Sequence, residues 1–384
     1  GQSPTALALD PKGRYLYVAA TGAIFVIDID PGSDTLHQVV DTIPISTATG
    51  IINDLAVNSD GTRLYVTAPL TTLYGGTLAW VRGGRDVGNV LVINVDEADR
   101  PPNPTAPNPN LWRKLIGTLD GGLEPAGIKA TSDPTKMIFT SLLRGGPNSA
   151  FEGLQTIQVT NDSPTSFAAD VKTIDLKLSN NTQQKYQLYI RNPSDVAILP
   201  DLSYAFVSDW NVPVTIGAGG ASLIEYWETH ELGSKVGIIK EPFGPSPQII
   251  AATTPIKLSF ASEIELSSDA RKLYVNYKSA GDVLVFDVLA LTTKSNSPPL
   301  DPKRFPIDVI EQPFFNDLVA DPNVVLPGIA VGNGLRGLAI QPADPITLID
   351  PLGTEVVSDP GAAIQFEWDV DTTRLGTTSY TSQV

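Results

Sequence analysis

Carboxylate side chains at short spacing are the first residues in this sequence whose types point to a chemistry. Asp28, Asp30 and Asp34 lie at the end of an apolar alternating segment, and residues 94–99 (NVDEAD) repeat the theme. Oxygen ligands at such spacing suit Ca²⁺, so these three aspartates are a calcium candidate. The alternative is that acids at a strand end are solvated and discourage edge pairing.

Few side chains in this sequence could act as nucleophiles or bind transition metals. The chain has no cysteine and two histidines, His37 and His230. Without Cys there are no thiolate nucleophiles and no Cys-based zinc sites. Ser-His-Asp catalysis needs a nucleophile within reach of a histidine, and no Gly-x-Ser-x-Gly segment is present to supply it. We therefore expect no transition metal and no organic cofactor, and calcium is the one cofactor left open.

Aromatic and arginine side chains are concentrated in long connections, above all residues 69–87 and 210–233. Such side chains are common at recognition surfaces, and loops on a rigid scaffold often carry function. We therefore expect a protein or glycan partner to bind there. The alternative is that these aromatic side chains only pack within their own long loops. The candidate binding residues are Trp80, Arg85, Trp210, Tyr226 and Trp227.

The elements that must position these residues come from an internal repeat. Each copy joins an apolar alternating strand, a polar turn and a second strand, and a third and a weaker fourth strand follow. Four antiparallel strands per unit are typical of a propeller blade. The sequence therefore predicts an all-β, β-propeller fold with five recognisable blades and a partial sixth, which starts at residues 338–340. The five copies are residues 7–18 (LALDPKGRYLYV), 55–66 (LAVNSDGTRLYV), 128–139 (IKATSDPTKMIF), 196–207 (VAILPDLSYAFV) and 264–275 (IELSSDARKLYV).

The blade pattern also predicts where the insertions lie. Residues 69–87, 142–153 and 210–233 each fall between the second and third strands of a unit. In an antiparallel blade these connections emerge at one end, so we expect them on one face of the disc. The opposite face, with tight turns and the Pro-rich residues 101–108, is expected to offer little apolar area.

Residues 10–19 (DPKGRYLYVA) resemble the YVTN-type β-propeller repeat of bacterial and archaeal surface proteins. Residues 61–67 (GTRLYVT) and 272–276 (KLYVN) carry the same resemblance. It implies a WD40-like propeller, usually of seven blades, and a structural or adhesion role at the cell surface. The motif residues are turn and packing positions, so the resemblance implies a fold rather than a chemistry.

The tail changes character after about residue 343. We assign residues 1–343 to the propeller and 344–384 to the start of a second β domain or to a C-terminal tail of strands. Residues 345–351 (PITLIDP) and 363–368 (AIQFEW) are predicted to be strands, with Trp368 buried. They resemble the opening of an immunoglobulin-like or fibronectin-like sandwich, which needs about seven strands. We therefore expect the chain to be part of a larger modular protein.

Composition narrows the class of protein. The formal net charge is −16, which argues against a nucleic-acid partner. No run of 18 apolar residues predicts a membrane span, and no signal-peptide pattern opens the chain. Few charged residues and no Cys favour an extracellular or cell-surface protein of bacterial type. We interpret the chain as a non-catalytic module of a large surface protein that mediates protein–protein or glycan interaction, or structural assembly. The alternative is a propeller enzyme of lactonase or hydrolase type.

Overall fold

The structure is a computed structural model, and the secondary structure that it describes is almost entirely β. The described residues form 24 strands, the short 3-10 helix Glu97–Asp99 and the helix α1 (Val288–Ser295). None of the helices in these residues is long and apolar enough to cross a membrane. The described residues are 4–45, 51–69, 88–102, 111–122, 125–141, 153–174, 176–178, 188–190, 193–209, 234–253, 261–277, 282–295, 325–330, 346–350 and 367–370.

Five four-stranded antiparallel sheets follow one another along the chain, each a simple meander. Blade 1 is β1 (Pro4–Leu9), β2 (Tyr15–Ala20), β3 (Ala23–Asp28) and β4 (Val39–Pro44). Blade 2 is β5 (Asp54–Val57), β6 (Arg63–Ala68), β7 (Asn89–Asn94) and β8 (Leu115–Asp120). Blade 3 is β9 (Pro125–Ala130), β10 (Lys136–Ser141), β11 (Gly153–Asn161) and β12 (Ala168–Ile174).

Two short two-stranded sheets accompany the remaining blades. The first is β13 (Lys177–Leu178) with β14 (Leu188–Tyr189). Blade 4 is β15 (Pro193–Ile198), β16 (Tyr204–Asp209), β17 (Val236–Lys240) and β18 (Gln248–Ala252). Blade 5 is β19 (Ala261–Leu266), β20 (Lys272–Tyr277), β21 (Asp282–Asp287) and β22 (Val325–Ala330). The second small sheet is β23 (Ile346–Asp350) with β24 (Glu367–Val370).

These sheets confirm the predicted all-β propeller of four-stranded blades, because every predicted repeat coincides with the first two strands of a sheet. The first strand of each blade contacts the first strand of the next, in the order β1, β5, β9, β15, β19. These five strands are therefore the inner strands that line the centre. One local difference is α1, which sequence periodicity did not predict. Asp287 begins this helix by accepting a 2.7 Å hydrogen bond from the backbone N–H of Ala290, as an N-cap residue does.

The hydrophobic core is divided into four clusters, and each cluster is shared by two neighbouring blades. Leu55, Ile128, Val196 and Ile264 occupy equivalent positions on inner strands and are all buried. A blade cannot cover its own faces, so burial depends on its neighbours. The fifth equivalent residue, Leu7, differs from these four: it is 61% exposed, because none of the five described blades packs on that side of blade 1.

Tight turns join the first two strands of the blades. Gly13 and Gly61 have φ of +70° and +73°, a region that glycine enters without a steric penalty. Their N–H groups donate to the carbonyls of Asp10 (2.8 Å) and Asn58 (2.9 Å). The Gly-containing hairpin turns predicted from the sequence are therefore present.

Hydrogen bonds between inner strands connect the blades and set their register. The carboxylate of Asp54 accepts from the N–H of Ile128 (2.9 Å) in the next blade. The carboxylate of Asp195 likewise accepts from the N–H of Ile264 (3.1 Å). The hydroxyl of Thr67 donates to the carbonyl of Ala126 at 2.7 Å. These bonds therefore hold each blade to the next one at its first strands.

Candidate functional site

The aromatic and arginine residues expected to bind a partner lie outside the described residues. They belong to residues 70–87 and 210–233, for which the structure describes no placement. The prediction of a binding surface at Trp80, Arg85, Trp210, Tyr226 and Trp227 therefore stays a prediction.

The calcium candidate lies in the connection between β3 and β4. Asp28 is buried, and its carboxylate accepts from the hydroxyls of Ser33 and Thr35, both at 2.5 Å, and from the N–H of Asp30 at 2.9 Å. Burial acts to raise the pKa of Asp28, but these hydrogen bonds outweigh it and the pKa is lowered. Within the described ranges, no three acidic, His or Cys side chains are grouped so as to hold a metal ion. Calcium binding by Asp28, Asp30 and Asp34 stays a prediction.

A cavity of about 510 Å³ lies between the outer strand of blade 1 and the β7–β8 connection of blade 2. Blade 1 contributes the β1–β2 turn, the β3–β4 connection and β4. Blade 2 contributes the short 3-10 helix Glu97–Asp99 and the residues that precede β8. All of these connections belong to one end of the antiparallel blades, opposite the predicted insertion face. The cavity therefore lies on the face for which the sequence predicts tight turns and little apolar area. Side chains central to the cavity are Arg14, Tyr15, Asp41, Glu97, Arg100, Trp112, Arg113 and Lys114.

Arginine and aromatic side chains alternate through this cavity. The guanidinium of Arg113 lies 4.0 Å from the ring centroid of Trp112 and 4.7 Å from that of Tyr15. Arg100 lies 5.4 Å from the Trp112 ring, and Arg14 lies 5.7 Å from the Tyr15 ring. Cation–π contacts act within about 6 Å. This arginine–aromatic stack therefore joins blade 1 to blade 2.

Carboxylates complete the rim of the stack. Asp41 Oδ2 lies 3.2 Å from a terminal nitrogen of the buried Arg113. Glu97 Oε2 lies 3.4 Å from Arg100 and 3.9 Å from Arg14. Arg113 itself has a positive φ of 55°, and its N–H donates to the carbonyl of Asn94 at 2.6 Å. Local backbone geometry therefore turns its guanidinium into the gap between the blades.

The central channel holds a second charged group, built from the inner strands of blades 2 to 5. Lys129 Nζ lies 2.9 Å from Glu265 Oε2 and 3.7 Å from Asp195 Oδ2. Asp54 adds a further negative charge close to Lys129. The side chains of Lys129 and Glu265 are 28% and 34% exposed, so water in the channel reaches both of them.

Burial and charge perturb the titration of this channel group. Burial raises the pKa of Asp195 to about 7, although the positive charge of Lys129 opposes it. Burial raises the pKa of Asp54 as well. Perturbed carboxylates occur in active sites and also in structural ion-pair networks. Here each aspartate accepts two backbone N–H groups, one from its own strand and one from the next blade. This points to a role in joining blades.

Sequence reasoning missed both charged groups. Residues 111–114 (LWRK) place a tryptophan between basic and apolar residues directly after the Pro-rich segment, and this signal could have marked the cavity. For the channel group, the signal shared by Asp54 and Asp195 is an acidic residue just before the apolar residue of the inner strand.

Comparison with protein-family models gives no match. Over 219 residues the chain is 26% identical to YwhL, an uncharacterized protein of Bacillus subtilis (strain 168). The match covers 55% of this chain and 43% of that protein, so this chain spans less than half the length of that relative.

Solved structures with a similar course of the chain are distant in sequence. The β-propeller domain of Myceliophteria thermophila Cps50 (Swd1) has a TM-score of 0.45 and 11% identity, covering 79% of this chain and 70% of that chain. Kuenenia stuttgartiensis hydrazine synthase has a TM-score of 0.42 and 14% identity, covering 86% and 87%. A functionally unknown protein of Desulfotomaculum acetoxidans DSM 771 has a TM-score of 0.44 and 11% identity, covering 75% and 70%.

Proposed function

We propose that this chain is a non-catalytic β-propeller module of a larger extracellular or cell-surface protein, and that it binds a protein partner through the cavity between blades 1 and 2. The observation that carries the proposal is the arginine–aromatic stack of Arg14, Tyr15, Arg113, Trp112 and Arg100. Stacking against one another and pairing with carboxylates fix these side chains before a partner arrives. Preorganisation of this kind lowers the entropy lost on binding.

The chemistry of the cavity indicates the kind of partner. Arg100 and Lys114 are exposed cations at its mouth, while Val40 and Trp112 give apolar surface beside them. A protein segment that presents a carboxylate next to an apolar side chain would match this arrangement. Tryptophan and arginine are the residue types that most often dominate binding energy at protein interfaces.

The surface location and the larger assembly are supported by composition and by the resemblance to surface-protein repeats. The low fraction of charged residues, the absence of cysteine and the net charge of −16 agree with that setting. The enzyme alternative receives less support, because the perturbed carboxylates Asp54 and Asp195 are engaged by backbone N–H groups. Hydrolysis of lactones or simple esters at a rate above background by the purified chain would contradict the proposal.

Binding can be tested on an array of dodecapeptides and an array of common oligosaccharides. We expect the chain to retain peptides that combine acidic and apolar residues, and the double variant Arg100→Ala/Lys114→Ala to bind them at least tenfold more weakly. The matched control is Lys12→Ala/Lys272→Ala, which removes two exposed cations elsewhere and should bind like the original chain. Unchanged binding by the cavity variant, or retention of oligosaccharides alone, would reject a protein partner at this site.

A further inference from the structure

Blade 1 presents an apolar sheet face that its described neighbour does not cover. Its other face packs against blade 2 through residues such as Tyr17 and Ile24. Cross-strand partners share a face of a sheet, and the register joins Leu7 to Val18 and Phe25. It likewise joins Leu9, Leu16, Ile27 and Val39. The uncovered face therefore carries seven apolar side chains, and Leu7, Leu9 and Val39 are 61%, 64% and 56% exposed.

This exposure is unusual for an inner strand of this propeller. The residues equivalent to Leu7 on the other four inner strands are buried against neighbouring blades. A contiguous exposed apolar patch on a folded protein marks a surface that binds something. The described part of blade 1 therefore lacks a neighbour on its open side.

Blade 5, the last of the five described blades, carries a buried polar atom that lacks a described partner. Asn276 corresponds in the repeat to Thr67, whose side chain bonds to the next blade. Asn276 is 1% exposed and donates to Glu263 at 2.8 Å, yet its Oδ1 meets no hydrogen-bond donor among the residues that the structure describes. Buried polar atoms are rarely left unsatisfied. Glu263 has the same place before the inner apolar residue as Asp54, which accepts from the next blade. Blade 5 is thus equipped to bond to a further blade.

The chain contains a segment suited to this place. Residues 331–384 follow β22 in the sequence, and this segment is long enough to form a blade, which needs about 40–45 residues. β23 and β24 in this segment already form an antiparallel pair. Its register puts Ile346 opposite Val370 and Leu348 opposite Trp368, whereas Thr347 is opposite Asp369. In the sequence of both strands, over residues 346–348 and 367–370, apolar and polar residues alternate, a pattern typical of strands that pack one face against a core.

We propose that the β23–β24 sheet packs on the open face of blade 1 and belongs to a sixth blade that closes the ring between blades 5 and 1. The inference does not depend on the proposed function, which concerns the opposite face of blade 1. It replaces the expectation of a separate immunoglobulin-like domain with an intramolecular partner. Burying seven apolar side chains is the physical reason that closure is favoured.

The absence of cysteine from the chain allows a direct test by thiol labelling of the full-length protein. Leu7→Cys and Leu115→Cys place a thiol at sites that are 61% and 53% exposed among the described residues, so without a cover they should react with a maleimide at similar rates. We expect Leu7→Cys to react at least tenfold more slowly, at a rate independent of protein concentration. Far-UV circular dichroism and the thermal midpoint confirm that each variant is folded.

A second set of variants identifies the segment that covers the face. Adding Leu348→Asp/Trp368→Asp to Leu7→Cys should restore rapid labelling, whereas the control Thr347→Asp, at a polar position in the sequence of β23, should not. Equal labelling rates at Leu7→Cys and Leu115→Cys would overturn the proposal. That is the result expected if the tail forms a separate domain and leaves the face of blade 1 uncovered. Protection that grows with protein concentration would assign the face to a second copy instead. Protection that survives Leu348→Asp/Trp368→Asp in a folded chain would assign it to another segment.

Discussion

Lys129 Nζ lies 2.9 Å from Glu265 Oε2 and so joins the third blade to the fifth, past the inner strand of the fourth. The two residues are 136 positions apart in the sequence. Asp195 on that intervening strand lies 3.7 Å from the same ammonium group. The pair therefore depends on the placement of three blades at once and reports on the integrity of the channel.

Replacing Lys129 should destabilise the propeller. Lys129→Met removes the cation that faces Asp195, Glu265 and Asp54, and partly buried carboxylates are then left without a counter-charge. We expect the free energy of unfolding to fall by about 3 kcal/mol, the low end for breaking a buried pair, because the channel is open to water. Urea denaturation measures the change. Lys272→Met, at an exposed site on β20, is the control and should cost less than about 0.5 kcal/mol. Equal costs would show that the channel pair has no stabilising role.

Stability should fall as pH rises from about 4 to about 7, through the titration of Asp195. Burial raises the pKa of Asp195 to about 7, well above the value of about 4 in an unfolded chain. In that window the folded protein keeps a proton that the unfolded chain has released, so raising the pH favours unfolding. Asp195→Asn should flatten this part of the pH profile of the urea midpoint.

The control variant is Asp201→Asn, because the pKa of Asp201 is shifted in the opposite direction to that of Asp195. Hydrogen bonds from Ser203 hold the pKa of the exposed Asp201 below its ordinary value, so its contribution grows as pH rises above that lowered pKa. Asp201→Asn should therefore leave the fall between pH 5 and 7 in place. A profile that keeps its slope after Asp195→Asn would contradict the assignment.

Arg63 should not tolerate replacement by lysine. Its Nε and Nη2 atoms donate to the two carboxylate oxygens of Asp162 in blade 3 at 2.9 and 3.0 Å, and Nη1 donates to Asn94 at 2.7 Å. Lysine cannot reproduce this planar fork. We expect Arg63→Lys to lower the free energy of unfolding by about 2–3 kcal/mol. Arg271→Lys, at an exposed turn, is the control and should be close to neutral; an equal effect at both sites would reject the argument.

Truncating a side chain between blades should lower the free energy of unfolding more than truncating one at the rim. Val196 is fully buried between blades 3 and 4, so Val196→Ala leaves a cavity and should cost roughly 1–3 kcal/mol. Val40 on β4 is exposed, and Val40→Ala should change stability little. Thermal and urea unfolding of both variants check the difference, and similar midpoints would argue against packing between these blades.

The repeat could be predicted from the sequence because it depends on local physical chemistry. Alternation of apolar residues determines the two faces of each strand, and turns such as those at Gly13 and Gly61 require backbone geometry that glycine adopts readily. These signals act over a few residues, so strand order within each blade and the propeller class followed from them. The burial of Val196 also followed, whereas the exposure of Leu7 did not, because it depends on which blades stand on either side.

The contacts within the two charged groups depend on the tertiary structure. Arg113 meets Tyr15 across a blade boundary, and Lys129 meets Glu265 across the channel, because the blades are rotated about a common axis. No local pattern encodes that rotation; it results from the packing of whole sheet faces against one another. Local sequence patterns therefore specify the strands, the turns and the class of fold. The distances between side chains of different blades, on which binding and titration depend, were determined by how the blades pack.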